Sequence, residues 1–293
     1  MIEKIKTALS LIVIIICLPY LITFVVQGDF LNAPVREEAA ETIDEDTELI
    51  ILTTANEIPL QYEKEALKAQ TVIARTNIAY AREHDEPEPE KISREDMREQ
   101  LGAKDFQKYY ELLLNCVQET AGETVTYEGD TVKLPYHYVS AGRTRDFAET
   151  GGTMPYLKAA DCANDLRSEK FLKIEFMDIR QFRNKLRAAF PDTEFPEEDV
   201  QKMAAVSKRD SSSYVISAEI PGKKISGEEF RSAFSLNSPC FSIKETDGKV
   251  RIITKGYGQG YGMSQYGANE MAKEGSSYTQ ILEYFYSGVR IGD

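Results

Sequence analysis

The chain has no tryptophan, two histidines and four cysteines in 293 residues. His84 and His137 are far apart and no Cys-x-x-Cys pair occurs, which excludes a zinc ribbon. Positive charge is scarce too: 35 Lys and Arg face 48 Asp and Glu, a net charge of −13. Without a basic stripe nothing holds a phosphate backbone, which argues against nucleic acid as a partner. The Gly-x-Gly-x-x-Gly spacing of a dinucleotide loop is missing, and no segment repeats itself. What remains, 42% hydrophobic residues over this length, is ample for a domain with a real core.

Charge vanishes altogether from Ala8 to Gln27, ALSLIVIIICLPYLITFVVQ. A helix needs about 20 apolar residues to cross the hydrocarbon core of a bilayer. Lys4 and Lys6 precede the run and Asp29 follows it, so the positive-inside rule puts the N-terminus in the cytoplasm and the remaining chain outside. The competing reading is a cleaved signal peptide, whose core is shorter and ends at a small-x-small site; no Ala-x-Ala follows here. The expectation is a cytoplasmic tip and single-pass anchor over 1–28. An acidic linker over 29–47 follows, with seven carboxylates against Arg36, and then one extracytoplasmic domain over 48–293. Cys17 falls in the anchor. Cys116, Cys162 and Cys240 lie beyond it and form either one disulfide or, the favoured reading, three buried thiols.

Within the domain, Glu48 to Thr54 (ELIILTT) reads as a compact β run broken at Ile58-Pro59. Glu63 to Glu83 reads as a long helix with two apolar stripes, Ala66, Ala69, Ile73 and Tyr80 on one and Leu67, Ala74 and Ile78 on the other. Such a helix is buried on both faces and forms the spine of a domain. A second helix opens at Ser93 with Asp96 as a capping acid, and a third runs from Lys104 to Ala121 with Gly122 as its C-cap. Thr124 to Ser140 reads as a hairpin turning at Glu128-Gly129-Asp130. Short helices near 178–190 and 197–206, strands near 213–219 and 248–254, and a closing helix from Tyr278 to Gly288 complete an α+β fold. It is expected as one mixed domain whose two lobes flank a groove.

The most informative stretch is Gly256 to Ala268, GYGQGYGMSQYGA, with five glycines in twelve residues interleaved with three tyrosines. Glycine allows positive φ and close backbone approach, and tyrosine offers a flat apolar face with a polar tip. The run is either a glycine-rich turn ribbon or a surface for a polar polymer with flat faces, such as a sugar chain. Tyr257, Tyr261, Ser264, Gln265 and Tyr266 are the candidate groove-lining side chains. Ser140, Arg143 and Thr144, which follow a strand, carry donors suited to sugar hydroxyls or acetamido groups.

Several of these segments fall in a familiar order. Glu57-Ile58-Pro59, Glu65 to Gln70 (EALKAQ) and Ala74-Arg75-Thr76 are followed by Tyr138 to Thr144 (YVSAGRT), Met154 to Leu157 (MPYL) and Gly256 to Ala272. The series resembles the stage II sporulation protein D (SpoIID) family over about residues 48 to 293, loosely between 165 and 245. The resemblance implies an anchored lytic transglycosylase that cuts peptidoglycan glycan strands during engulfment in sporulation. The alternative it implies is a non-catalytic enhancer of a cell-wall amidase. Its partners are then glycan strands, a cell-wall amidase of the SpoIIP type and, through the N-terminal helix, the membrane; no cofactor is required.

The resemblance places the catalytic carboxyl on Glu65. A lytic transglycosylase manages with one such group: the acid protonates the glycosidic oxygen, and the resulting carboxylate takes the proton of the sugar's C6 hydroxyl as a 1,6-anhydro ring closes. That needs a pKa raised to about 6 by desolvation. Two features oppose it at Glu65: the first turn of a helix favours the anion, and Lys68 is three residues on. Glu57 is either a second carboxylate near Glu65 or a turn residue. Gln70 and Arg75 lie about 140° and 80° away from Glu65 around the helix. The family's Ser-Gly-Gly-like turn is Ser140-Ala141-Gly142 here, and Tyr261 stands where relatives often have the histidine of Gly-His-Gly. Some relatives hold zinc through histidine and cysteine after the hairpin; here only His137 and the distant Cys162 are candidates, and two ligands are not a site.

Overall fold

The computed structural model describes residues 43–292. The expected anchor and most of the acidic linker lie outside the described residues. Among the described residues no helix is long and apolar enough to cross a membrane. The chain divides into two units, Met1–Asp44 and Glu45–Asp293, and the second is a mixed α+β domain.

The domain opens with helix α1 (Glu45–Glu57), where a β run was expected. Six consecutive residues, Leu49 to Thr54, are buried. An apolar run covered on all sides has no period to distinguish strand from helix. The acids Glu45, Asp46 and Glu48 in the first turn suit the helix N-terminus. Pro59 then ends a helix rather than a strand.

Helix α2 (Lys64–Glu83) is the predicted spine, with eleven buried residues. It packs on α1, on α4 (Ala103–Glu119), and on α8 (Gln265–Lys273) and α9 (Tyr278–Phe285) from the far end of the chain. Between α2 and α4, helix α3 (Arg94–Leu101) starts as expected, with the Ser93 hydroxyl accepting the Asp96 N–H at 3.0 Å. Helix α4 stops at Glu119 with Thr120 as its cap, two residues before the expected Gly122. The half-buried Arg75 donates to the Val117 and Glu123 carbonyls there and covers the helix end.

The expected hairpin is shorter than its sequence suggests. Strands β1 (Thr124–Tyr127) and β2 (Asp130–Thr131) turn on Glu128 and Gly129, both at positive φ. The chain then leaves this sheet, whose third member is the C-terminal β11 (Arg290–Gly292) beside β1. Strand β3 (Tyr136–His137) pairs in parallel with β10 (Met263–Ser264) instead. Residues of α2, α8, α9 and these strands enclose one core, which includes Val72, Ile73, Met263, Leu282 and Tyr286.

A second core lies between two antiparallel sheets and three helices. One sheet has the order β4 (Leu172–Asp178), β9 (Lys249–Lys255), β8 (Phe241–Thr246). The other runs β5 (Ala205–Arg209), β6 (Val215–Ile220), β7 (Lys223–Ser226). Helices α5 (Ile179–Ala189), α6 (Val200–Met203) and α7 (Gly227–Phe234) fill in around stacked Phe230, Phe234 and Phe241. Ser226 and Glu229 form a capping box at the start of α7.

The glycine ribbon joins the two cores. Gly256, Gly258, Gly260 and Gly262 all have positive φ, from 66° to 115°. Each faces an obstacle that a Cβ would meet: the Val139 carbonyl, the His137 side chain, the Tyr214 ring and the Pro135 carbonyl in turn. The glycines therefore serve close packing of backbone against segment 135–140. Gly262→Ala would place a methyl group 1.9 Å from Pro135 O at a φ of +66°. A loss of roughly 3 kcal/mol or more is expected, whereas Gly129→Ala, strained in φ but with open space around it, should lose about 1 kcal/mol. Equilibrium urea unfolding of the two variants measures the gap, and equal losses would contradict this packing argument.

Candidate functional site

Pro59 terminates α1 so that Glu57, its last residue, sits beside the start of α2. The Glu57 carboxyl is half-buried and accepts a hydrogen bond from Gln70 Nε2 at 2.7 Å. Gln70, buried on α2, accepts in turn from Gln265 Nε2 at 3.1 Å, and the same amide donates to the Glu57 backbone carbonyl at 2.7 Å. The Tyr136 phenol also hydrogen-bonds the Glu57 carboxyl. Burial pushes the carboxyl up from 4.5 to about 7, against the opposing effect of the Tyr136 and Gln70 hydrogen bonds. It is thus an acid that holds its proton near neutrality at a partly open position.

Glu65 is built differently. Its Oε1 accepts from the Lys68 ammonium at 2.8 Å, and its Oε2 accepts the Tyr278 N–H at 2.8 Å at the N-terminus of α9. Lys68 is shared with Glu119 at 2.7 Å, and its ammonium lies 5.4 Å from the Tyr278 ring centroid. The Lys68 contact lies within α2, and the Tyr278 contact ties α2 to α9.

Ser140 and Ser264 meet on a buried acid that sequence reading missed. Asp165 Oδ2 accepts the Ser140 N–H at 2.6 Å and the Ser264 hydroxyl at 2.7 Å, while its Oδ1 is buried without a hydrogen-bond partner. Burial raises the Asp165 carboxyl above its usual range, with the serine hydrogen bonds opposing. Ser264 also caps α8 by accepting the Gly267 N–H at 3.2 Å, and the Ser140 hydroxyl accepts the Gly142 N–H at 3.1 Å. These serines and Gln265 are buried, so they hold the frame of the site. Thr144 is also buried and donates to the Lys158 carbonyl at 3.2 Å, while Arg143 is exposed.

The tyrosines are the accessible part. Tyr257 is 44% exposed and meets Tyr138 edge-on at 5.9 Å. The Tyr266 N–H donates to the Tyr138 carbonyl at 3.0 Å, and Tyr62 lies against Tyr138 and Tyr266. Tyr261 hydrogen-bonds Thr150 and carries the Arg145 guanidinium 4.5 Å over its ring. Arg145 is buried and paired with Asp210 at 2.7 Å, and its N–H donates to Gly260 O at 2.8 Å. Tyr136, Gln259 and Tyr261 line a pocket of about 460 Å³ with Asn77, Lys133 and Phe147. Tyr136 thus faces both this pocket and the Glu57 carboxyl.

The zinc candidates do not fit a metal. His137 Nδ1 bonds the Tyr261 carbonyl at 3.0 Å, Nε2 is buried without a partner, and burial lowers the ring to about 4. The Cys162 thiol contacts Ala160 O at 3.7 Å. No group of three or more His, Cys, Asp or Glu is placed to hold a metal among the described residues. Cys116, Cys162 and Cys240 are all free and buried, and burial raises Cys116 and Cys240 to about 11.

The half-buried Glu57 acid and the pocket share Tyr136, and Leu134, Pro135, Met154 and Leu157 give that pocket a largely apolar wall. The family model described as SpoIID, stage II sporulation protein, matches residues 47–127. The chain is 32% identical over 264 residues to stage II sporulation protein D of Bacillus amyloliquefaciens, covering 84% of this chain and 74% of that one. It is 28% identical to stage II sporulation protein D of Bacillus subtilis over the same shares. A B. subtilis protein named amidase enhancer is 25% identical over 80% of this chain and 39% of its own. The chain belongs to the stage II sporulation protein D family.

The raised carboxyl links protonation to stability. A native value above the unfolded one leaves the folded state undisturbed below about pH 4.5 and weakens it as pH rises through about 7. Between pH 5 and pH 8 the protein is expected to lose up to about 3 kcal/mol through this group. Glu57→Gln should remove most of that slope in urea unfolding at the two pH values. A variant with an unchanged slope would contradict the burial argument.

Proposed function

We propose that this chain is a lytic transglycosylase acting on peptidoglycan glycan strands in sporulation, tethered by its apolar N-terminal run with the folded domain outside the membrane. The observation that carries the reading is the Glu57 carboxyl, half-buried, pushed to about 7 and held by Gln70. The same group serves as acid and then as base. Protonated Glu57 donates to the glycosidic oxygen as the C1–O bond breaks, and the resulting carboxylate accepts the proton of the C6 hydroxyl as that oxygen bonds C1. The Gln70 hydrogen bond orients the carboxyl, and the Tyr136 phenol steadies the anion between the two steps. Exposed Tyr257 and half-buried Tyr261 and Tyr266 offer faces to sugar rings, and Arg143 offers an accessible donor.

The family resemblance points to Glu65, and its surroundings favour a tie between α2 and α9 instead. Digestion of purified glycan strands, read by mass spectrometry for 1,6-anhydro-muramic ends, separates the two. Glu57→Gln is expected to lose on the order of 100-fold or more in rate, as for other general acids. Glu65→Gln should stay within about tenfold of the parent. The reverse ranking moves the catalytic role to Glu65. Activity of the parent should also fall as pH rises through about 7.

A second reading rests on the similarity to the protein named amidase enhancer. In it the same tyrosines grip glycan, and the domain stimulates a cell-wall amidase without cutting. No anhydro product from the parent, together with wall binding and a raised amidase rate, selects this reading. Failure of both assays removes both.

A further inference from the structure

Strand β4 is an edge strand unlike the rest of the surface. Among the described residues it has β9 on one side and no strand on the other. Leu172, Ile174 and Phe176 stand on its outer face at 50%, 50% and 58% exposure. Natural edge strands are commonly blunted by charge, proline or a bulge, and an exposed apolar edge invites a further strand.

The free backbone groups can be assigned. The Gly256 N–H donates to Phe171 O at 2.7 Å, and Lys255, opposite Leu172, donates instead to Cys240 O on the β8 side. Antiparallel bonds alternate, so the Phe171 carbonyl and the backbone groups of Lys173 and Glu175 face β9, while the Phe171 N–H closes a turn on Ser168 O at 2.9 Å. Leu172, Ile174 and Phe176 direct theirs away from it, toward whatever lies beyond the edge.

We propose that this edge pairs with β4 of a second copy, antiparallel about a two-fold axis through Ile174. The charge pattern selects that register. With Ile174 opposite Ile174 of the second copy, Leu172 faces Phe176 and Lys173 faces Glu175, each twice. Residues with free backbone groups face one another, as an antiparallel ladder requires. A shift of one residue on each strand sets Lys173 against Lys173, or Glu175 against Glu175, and like charges directly opposite repel. Copies of a chain with a net charge of −13 repel over most of their surface. At the centre of this edge Lys173 and Glu175 sum to zero. Lys173 and Glu175 are already ion-paired within the strand at 3.1 Å, so both are positioned for the cross-strand contact.

The test uses full-length chain carrying Cys17→Ser, since Cys116, Cys162 and Cys240 are buried. Ile174→Cys brings its own symmetry mate to a Cα separation of about 5.5 Å, within disulfide range. Mild oxidation should therefore give a dimer on a non-reducing gel. Leu172→Cys or Phe176→Cys alone should not cross-link, because each is about four residues from its own mate, whereas the two variants mixed should. In sedimentation equilibrium, Lys173→Glu should weaken the dimer by about tenfold or more, and Lys173→Glu with Glu175→Lys should restore it. A monomeric parent, no Ile174 cross-link, equal cross-linking of all three single variants, or no rescue by the double swap would each overturn the proposal.

Discussion

The close contact between the glycine ribbon and segment 135–140 is the constraint on which the rest of the domain depends. Four glycines at positive φ let the ribbon lie flat against the Pro135 and Val139 carbonyls, His137 and Tyr214. The ribbon leads directly into β10 and α8. Its position therefore decides where Ser264 and Gln265 emerge, and through them where Asp165 and the Glu57 backbone are held. The ribbon also presents the Gly260 carbonyl to Arg145, whose buried pairing with Asp210 brings in the second core. A stretch whose composition suggests an open sugar platform is largely a seam between two cores, with Tyr257 and Tyr261 as its accessible fringe.

Two glutamates eight residues apart end in contrasting environments. Glu65 meets an ammonium and a helix N-terminus, both suited to negative charge. Glu57 meets a neutral amide and a phenol inside a half-closed site, where desolvation outweighs hydrogen bonding. The partner groups explain the difference: a cation supplies a counter-charge, whereas Gln70 and Tyr136 supply only dipoles. Both draw a partner from α2, where Gln70 and Lys68 are two positions apart and turn toward different neighbours.

The α+β class, the long α2 spine, the Ser93 cap and the strand read near 248–254 are all legible, because each rests on local periodicity or a capping signal. The helix over Glu45–Glu57 was not, since six successive buried residues erase the alternation that separates helix from strand. The hairpin was over-extended because Tyr136 and His137 are strand-like in composition, yet pair with residues about 127 positions away. The start of α7 carries a local signal in the sequence, the Ser226 and Glu229 capping box. At the site, residue types were legible and roles were not. Ser140 reads as a donor to sugar and Ser264 and Gln265 as groove lining, but all three are buried and belong to the frame. Asp165 had no local signal, as an isolated acid in a stretch without a motif.

The Glu57–Gln265 contact spans 208 residues of sequence, and Glu57 leans on Tyr136 in between. Until α8 has been synthesised and docked, the Glu57 carbonyl and the Gln70 amide oxygen lack the Gln265 donor that holds both. A nascent or truncated polypeptide therefore carries Glu57 and Gln70 without the amide that links them. That link forms late, because contacts between residues so distant in sequence close slowly.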